Sequence, residues 1–169
     1  KLLATASRDG VARLWDAATG QAFGAGFHHV KWINTVEFSP DGKRIAAASV
    51  RSWGPHLPIK PGKVKVWDAA TGQELLTLKE PTGTVLSVEF SPDGKWFLTG
   101  SVNKAIRLWD ARTAQLHSDL IRRRDVIALA HFSPDSQTAH FCLSDDDSVR
   151  IVDIPTGKPP LELRGHGVF

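Results

Sequence analysis

The sequence predicts an all-β fold: a β-propeller of four-stranded antiparallel sheets, here a partial ring of about four blades. Three observations carry this. Phe38, Phe90 and Phe132 each precede Ser-Pro-Asp; Trp15-Asp16, Trp67-Asp68 and Trp109-Asp110 recur, with Val152-Asp153 in fourth place; and Ser7, Ser49, Ser101 and Ser144 form a third series. Ser7 to Ser49 and Phe90 to Phe132 each span 42 residues, whereas Trp15 to Trp67 spans 52 and Trp109 to Val152 spans 43. The period is therefore close to 42, and ten extra residues fall between Ser49 and Trp67, as an insertion in one loop.

Within each period the local signals agree. The first strand of the most regular copy is Thr84–Phe90, β-branched and alternating. The Ser-Pro-Asp-Gly runs at 39–42 and 91–94 supply a preset φ, a carboxylate that bonds local backbone, and a glycine for positive φ, which together make a tight turn. Lys95–Ser101 reads as a second strand and Ala105–Trp109 as a third. Ala-Ala-Thr-Gly at 17–20 and 69–72 makes another turn, and Gln73–Leu78 a fourth strand with Leu76 and Leu78 on one face.

These motifs, with Gly165-His166 opening a further copy, resemble WD40 repeats over nearly the whole chain. The repeats divide it into 1–28, lacking a first strand; 29–80, with the insertion at 50–63; 81–122; a degenerate 123–165; and 166–169, the start of another. All of 1–169 is then one propeller segment. The chain opens in strand-like sequence and has no methionine, which predicts an internal piece of a longer polypeptide, so that its lack of a signal peptide says nothing. A cytoplasmic location is expected.

The resemblance also implies a buried hydrogen-bond chain per repeat: Trp of the third strand, Ser or Thr of the second, His at the entrance to the first, and Asp in the turn between second and third. On that pattern Ser7, Asp9 and Trp15 match in the first repeat, and His29, Ser49 and Trp67 in the second. Ser101 and Trp109 match in the third, where Asn103 stands for Asp and Pro81 for His. Ser144 and Asp146 match in the fourth, where Arg123 stands for His and Val152 for Trp. The last repeat is expected to be the least rigid.

Composition bounds the chemistry. Charged residues are 23% of the chain and the net charge is +3, with both signs mixed, so nucleic-acid binding by a basic rim is a secondary reading. The single cysteine, Cys142, excludes an internal disulfide and a Cys-based zinc site, and reads as a small buried residue. His28, His29 and His56 lack metal-ligand spacing, so neither metal nor cofactor is expected. Recurring Ser, His and Asp mimic a hydrolase triad, but they recur repeat by repeat and lack a nucleophile elbow. No catalytic residue is assigned. An enzymatic propeller with a site in its central channel is the alternative reading.

The leading expectation is a non-catalytic scaffold for protein or peptide partners. The insertion carries Pro55, Pro58 and Pro61, which stiffen it, and presents Arg51, Trp53, His56, Lys60 and Lys63. A stiff loop with an aromatic and flanking cations is what an interaction hot spot uses. In the repeat geometry that the resemblance implies, Arg122, Arg123 and Arg124 fall in a loop on the same rim, as do Lys79-Glu80, and Trp32 stands just before a first strand. GFHHVKWINTVEFSPDG and RLWDAATGQ are similar to bacterial WD40 arrays that often follow serine/threonine kinase domains, which implies a docking or sensor region of a signalling protein.

Overall fold

The computed structural model describes residues 1–29, 32–49, 62–79, 84–101, 105–122, 127–143, 149–154, 156 and 161–163. Among the described residues fifteen strands form four antiparallel meanders. The first holds β1 (Leu2–Thr5), β2 (Val11–Asp16) and β3 (Ala22–His28). The second holds β4 (Ile33–Phe38), β5 (Arg44–Ser49), β6 (Lys63–Asp68) and β7 (Glu74–Lys79). The third holds β8 (Val85–Phe90), β9 (Trp96–Ser101), β10 (Ala105–Asp110) and β11 (Leu116–Arg122). The fourth holds β12 (Ile127–Phe132), β13 (Thr138–Leu143), β14 (Val149–Asp153) and β15 (Leu161–Leu163). Among the described residues the first sheet has three strands and the others four.

The sheets stack because their middle strands are apolar on both faces. Residues alternate sides along a strand, so one strand serves two interfaces. In β10, Ile106 and Leu108 join Ala130, Phe132, Phe141 and Val152 of the fourth sheet. Trp109, on the opposite face, joins Ala46, Ala48, Val64 and Val66 of the second sheet. One blade earlier, Trp67, Ile45 and Ala47 meet Ala12, Leu14 and Phe27 of the first sheet. Small alanines on β5 leave room for each neighbouring indole.

Both kinds of tight turn are held by an aspartate. Asp16, Asp68 and Asp110 each accept from the backbone N–H and hydroxyl of Thr19, Thr71 and Thr113. Those threonine amides hold the three carboxyls below their ordinary value. The turns close at positive φ on Gly20 and Gly72, where the third repeat instead has Ala114 at φ 59°. Likewise Ser136, at φ 61°, stands where Gly42 and Gly94 close the Ser-Pro-Asp turns. Ser136 has a second task, since its Oγ accepts from the amide of Asp93 in the neighbouring blade at 3.0 Å.

Blade-to-blade polar staples reinforce the packing. Glu37 accepts from the Phe90 amide at 3.2 Å, and Glu89 repeats the bond one blade on, to Phe132 at 3.3 Å. The Arg44 guanidinium lies 5.1 Å from the Phe90 ring and donates to the carbonyls of Ala111 and Gly94. The insertion ends in close contact: a Cβ on Gly62 would meet the Val85 nitrogen at 2.7 Å, so only glycine fits there.

Candidate interaction rim

Antiparallel meanders put alternate connections at opposite ends of each sheet. The described ends of β1, β3, β5 and β7 and the starts of β2, β4, β6 and β8 share one rim, and the insertion joins two of these ends, Ser49 and Lys63. The turns closed by Asp16, Asp41, Asp68, Asp93, Asp110 and Asp135 share the other.

On the insertion's rim the first two blades are cinched together. The His29 amide donates to the Gly10 carbonyl at 2.7 Å and the Ile33 amide to the Ser7 carbonyl at 3.1 Å. Asp9 caps the β1–β2 loop, accepting from the Val11 amide and from Arg13 at 2.8 Å, and Arg13 is the first cause of its lowered carboxyl pKa. Arg8 sits 5.5 Å over the ring of Trp32, which is 45% exposed. This cation–aromatic pair is a surface feature of the kind that partner proteins grip. Trp32 was visible in the sequence; its pairing with Arg8 joins two loops and was not.

His29 is packed edge-on to Trp67 at 6.0 Å and bonds the backbone of Lys63. Ser49 also reaches the Lys63 carbonyl, at 3.5 Å. Burial first, then the charges of Lys65 and Lys63, push the His29 imidazole down to about 4, so it is neutral at physiological pH. Lys63 thus begins β6, paired with Ser49 and Lys79, rather than ending a free loop. Arg122 similarly closes β11 opposite Ala105. Arg51, Trp53, His56, Lys60, Pro81, Asn103, Arg123, Arg124, Ser144 and Asp146 lie outside the described residues.

The expected indole acceptors need correction. Trp15 donates to Thr5 at 2.8 Å and Trp109 to Thr99 at 2.9 Å, not to Ser7 or Ser101. Register explains it. Trp109 is opposite Phe97, and Thr99 is the next residue on that face, a diagonal neighbour within reach. Ser101 lies opposite Ala105, a further two residues along, and donates to that residue's carbonyl at 3.3 Å. In the second blade the threonine position is Ala47, and Trp67 meets Phe27 at 5.7 Å as well as His29. The serine series also breaks in the fourth blade: Ile33 pairs with Ser49 and Val85 with Ser101, but Ile127 pairs with Leu143.

A second series escaped the sequence reading. Arg13, Lys65, Arg107 and Arg150 each stand two residues before the Trp15, Trp67, Trp109 or Val152 position, and each finds a carboxylate. Arg107 is 1% exposed and meets Asp119 at 2.7 Å; Arg150 is 2% exposed and meets Glu162 at 2.9 Å. Both are cross-strand partners in register. The two-residue offset from Trp was legible, although the partner acids on the fourth strands are not at a fixed spacing.

The first strands of the second, third and fourth blades lie side by side, and Glu37, Glu89 and His131 line a cavity of about 320 Å³ there. His131 Nδ1 is 2.9 Å from Glu89. Burial first, then the charge of Glu89, push the Glu37 carboxyl up to about 7. Folded Glu37 therefore keeps a proton between its ordinary 4.5 and about 7 that the unfolded chain has released, so its contribution to stability falls as pH rises through that window. His29 does the reverse: folded, it refuses a proton between 6.5 and about 4, so stability falls as pH drops. The two slopes oppose one another. Glu37→Gln keeps an acceptor for Phe90 and should raise stability at pH 7.5 by about 1–2 kcal/mol, with solvent screening included. Urea midpoints of the variant should then climb steadily between pH 4 and 6.5; a profile parallel to the parent's would contradict this. Among the described residues no group of three or more His, Cys, Asp or Glu side chains is placed to hold a metal ion.

The repeat motifs, the four stacked meanders and their Trp-centred interfaces have a counterpart among known families. Residues 1–16, 25–68 and 72–110 match the WD40 family, described as WD domain, G-beta repeat. The chain belongs to the WD40 repeat family. This WD40 segment is 31% identical over 113 residues to target of rapamycin complex subunit LST8-1 of Arabidopsis thaliana, covering 66% of this chain and 33% of that protein. It is 32% identical over 114 residues to WD repeat-containing protein 1 of Gallus gallus, covering 64% of this chain and 17% of the relative. Nuclear distribution protein PAC1 of Arthroderma otae matches over 166 residues at 33% identity, covering 90% of this chain and 36% of the relative. The chain thus spans between 17% and 36% of the length of these three relatives.

Proposed function

We propose that this WD40 segment is a non-catalytic scaffold that holds protein partners on the rim bearing the insertion, as a docking region of a larger signalling polypeptide. The observation that carries the reading is the division of labour along each blade. Among the described residues most polar side chains of the interior serve the structure: two indoles on threonines, buried arginines on carboxylates, turn aspartates on backbone amides. Cation and aromatic side chains are displayed on the loop rim, where Arg8 covers the exposed ring of Trp32. A rigid stack presenting many loops suits recognition of a surface more than turnover of a substrate. A similar protein is named as a subunit of the target of rapamycin complex, which supports a role inside an assembly.

The insertion is the leading contact, through Arg51 and Trp53, with Trp32 and Arg8 extending the surface. Arg51→Ala combined with Trp53→Ala should reduce partner capture by the full-length protein at least about tenfold, the scale of a single hot-spot residue. The urea midpoint should not move. Unchanged capture would remove the insertion from the reading.

A further inference from the structure

We propose a second binding site on the opposite rim, between the second and third blades, that takes a carboxylate side chain from an acidic, partly apolar peptide segment. A cavity of about 410 Å³ lies there, lined by Arg44, Gly94, Lys95, Trp96, Asp110 and Arg112. Among the lining side chains the cations Arg44, Lys95 and Arg112 outnumber the acid, Asp110. The half-buried or buried cations Arg13, Lys65, Arg107 and Arg150 each have a carboxylate within 2.9 Å. Arg44 is also half-buried, yet among the described residues its hydrogen bonds go to two carbonyl oxygens, Ala111 at 2.9 Å and Gly94 at 3.1 Å, while its guanidinium lies 5.1 Å from the Phe90 ring and interacts with the exposed Asp41 carboxylate through charge. A guanidinium withdrawn from water with no carboxylate bonded to it is costly, and an incoming carboxylate offsets that cost. The two carbonyls fix its plane, leaving the rest of its planar donor fork available.

The other linings sharpen the choice of ligand. Lys95, paired with Asp93 at 3.3 Å, and Arg112 add two exposed cations, while the acid of the lining, Asp110, already spends its Oδ1 on Arg112 N, Thr113 N and Thr113 Oγ1. Trp96, half-buried and 4.7 Å from His117 across a tilted ring pair, supplies an apolar wall. A nucleic-acid backbone fits poorly, because this rim carries an aspartate at nearly every turn. Asp16, Asp41, Asp68, Asp110 and Asp135 all sit below their ordinary carboxyl value and stay ionised, and a row of phosphates would be repelled by them. One or two carboxylates beside an apolar residue match the site, with Arg44 and Arg112 on the acid and Trp96 on the apolar neighbour.

The site is independent of the insertion rim, so the two readings fail separately. The test is an amide-shift NMR titration of the full chain with a capped tetrapeptide of alternating glutamate and leucine. A glutamine–leucine peptide and inorganic tripolyphosphate are titrated in parallel. The expected result is saturable shifts at Gly94, Lys95 and Trp96 with the glutamate peptide, absent with the glutamine peptide. Lys95→Glu with Arg112→Glu, both on exposed turn positions, should weaken them about tenfold or more. Arg51→Ala with Trp53→Ala should leave them unchanged. No saturable shift there up to about 10 mM peptide, equal shifts from the glutamine peptide, or full shifts in the charge-reversed variant would overturn the proposal. Tighter binding of tripolyphosphate at the same amides would overturn it in favour of a free-phosphate site.

Discussion

Trp109→Ala should destabilise the chain by about 3–5 kcal/mol, the usual cost of emptying a large buried aromatic site. Trp109 is 4% exposed and is the wedge between the second and third blades, packed on Ala46, Ala48, Val64 and Val66. Its loss removes both the apolar contact and the indole donor to Thr99. The two parts separate by comparison. Thr99→Val removes the hydroxyl at nearly constant volume and should cost about 1–2 kcal/mol, because it strands the buried indole N–H. Urea denaturation of both variants decides the ratio. Because neighbouring repeats stabilise one another through such interfaces, the alanine variant should also broaden the transition as the two halves uncouple. A loss below about 1 kcal/mol for Trp109→Ala would mean that the indole does not hold the blades together.

Asp119→Ala should cost nearly as much, about 3 kcal/mol, by leaving the Arg107 guanidinium buried without its carboxylate. The figure sits at the low end of the range for broken buried pairs because the Asp119 side chain retains 26% exposure. Replacing both partners by apolar residues tests the cause. Arg107→Met with Asp119→Leu should return to within about 1 kcal/mol of the parent, since no charge is then stranded. If the double variant is as unstable as Asp119→Ala, the pair contributes attraction rather than merely cancelling a burial cost.

The outline of this fold was legible because its signals are local. The Ser-Pro-Asp turns and Asp-x-x-Thr turns are closed by bonds spanning two or three residues, so the sequence contains each of them whole. The strand series of Phe and Trp gave the period, and the structure places Trp67 and Trp109 in successive blade interfaces. The hydrogen-bond chain was less legible because it depends on register. Ser101 recurs more conspicuously than Thr99, yet the pleat puts Thr99 beside the indole. Ala47 shows the same position filled by a residue with no hydroxyl, so counting polar residues could not have found it. Features that join two blades were hidden altogether. Arg44 binds carbonyls 50 and 67 residues away, and Glu37 reaches an amide 53 residues on. Arg8 and Trp32 belong to different loops, and nothing in either loop names the other.

On the proposed function, partners are gripped by the loop rim while the blades act as a rigid frame. Amide hydrogen exchange of the full-length protein, with and without its captured partner, distinguishes the two regions. Added protection should concentrate in 50–63 and at the neighbouring β1–β2 and β3–β4 loops around Arg8 and Trp32, with the middle strands β5, β6, β9 and β10 unchanged. Protection confined to the cavity wall at Glu37, Glu89 and His131, with the rim unaffected, would contradict it and move the binding site to the inner strands.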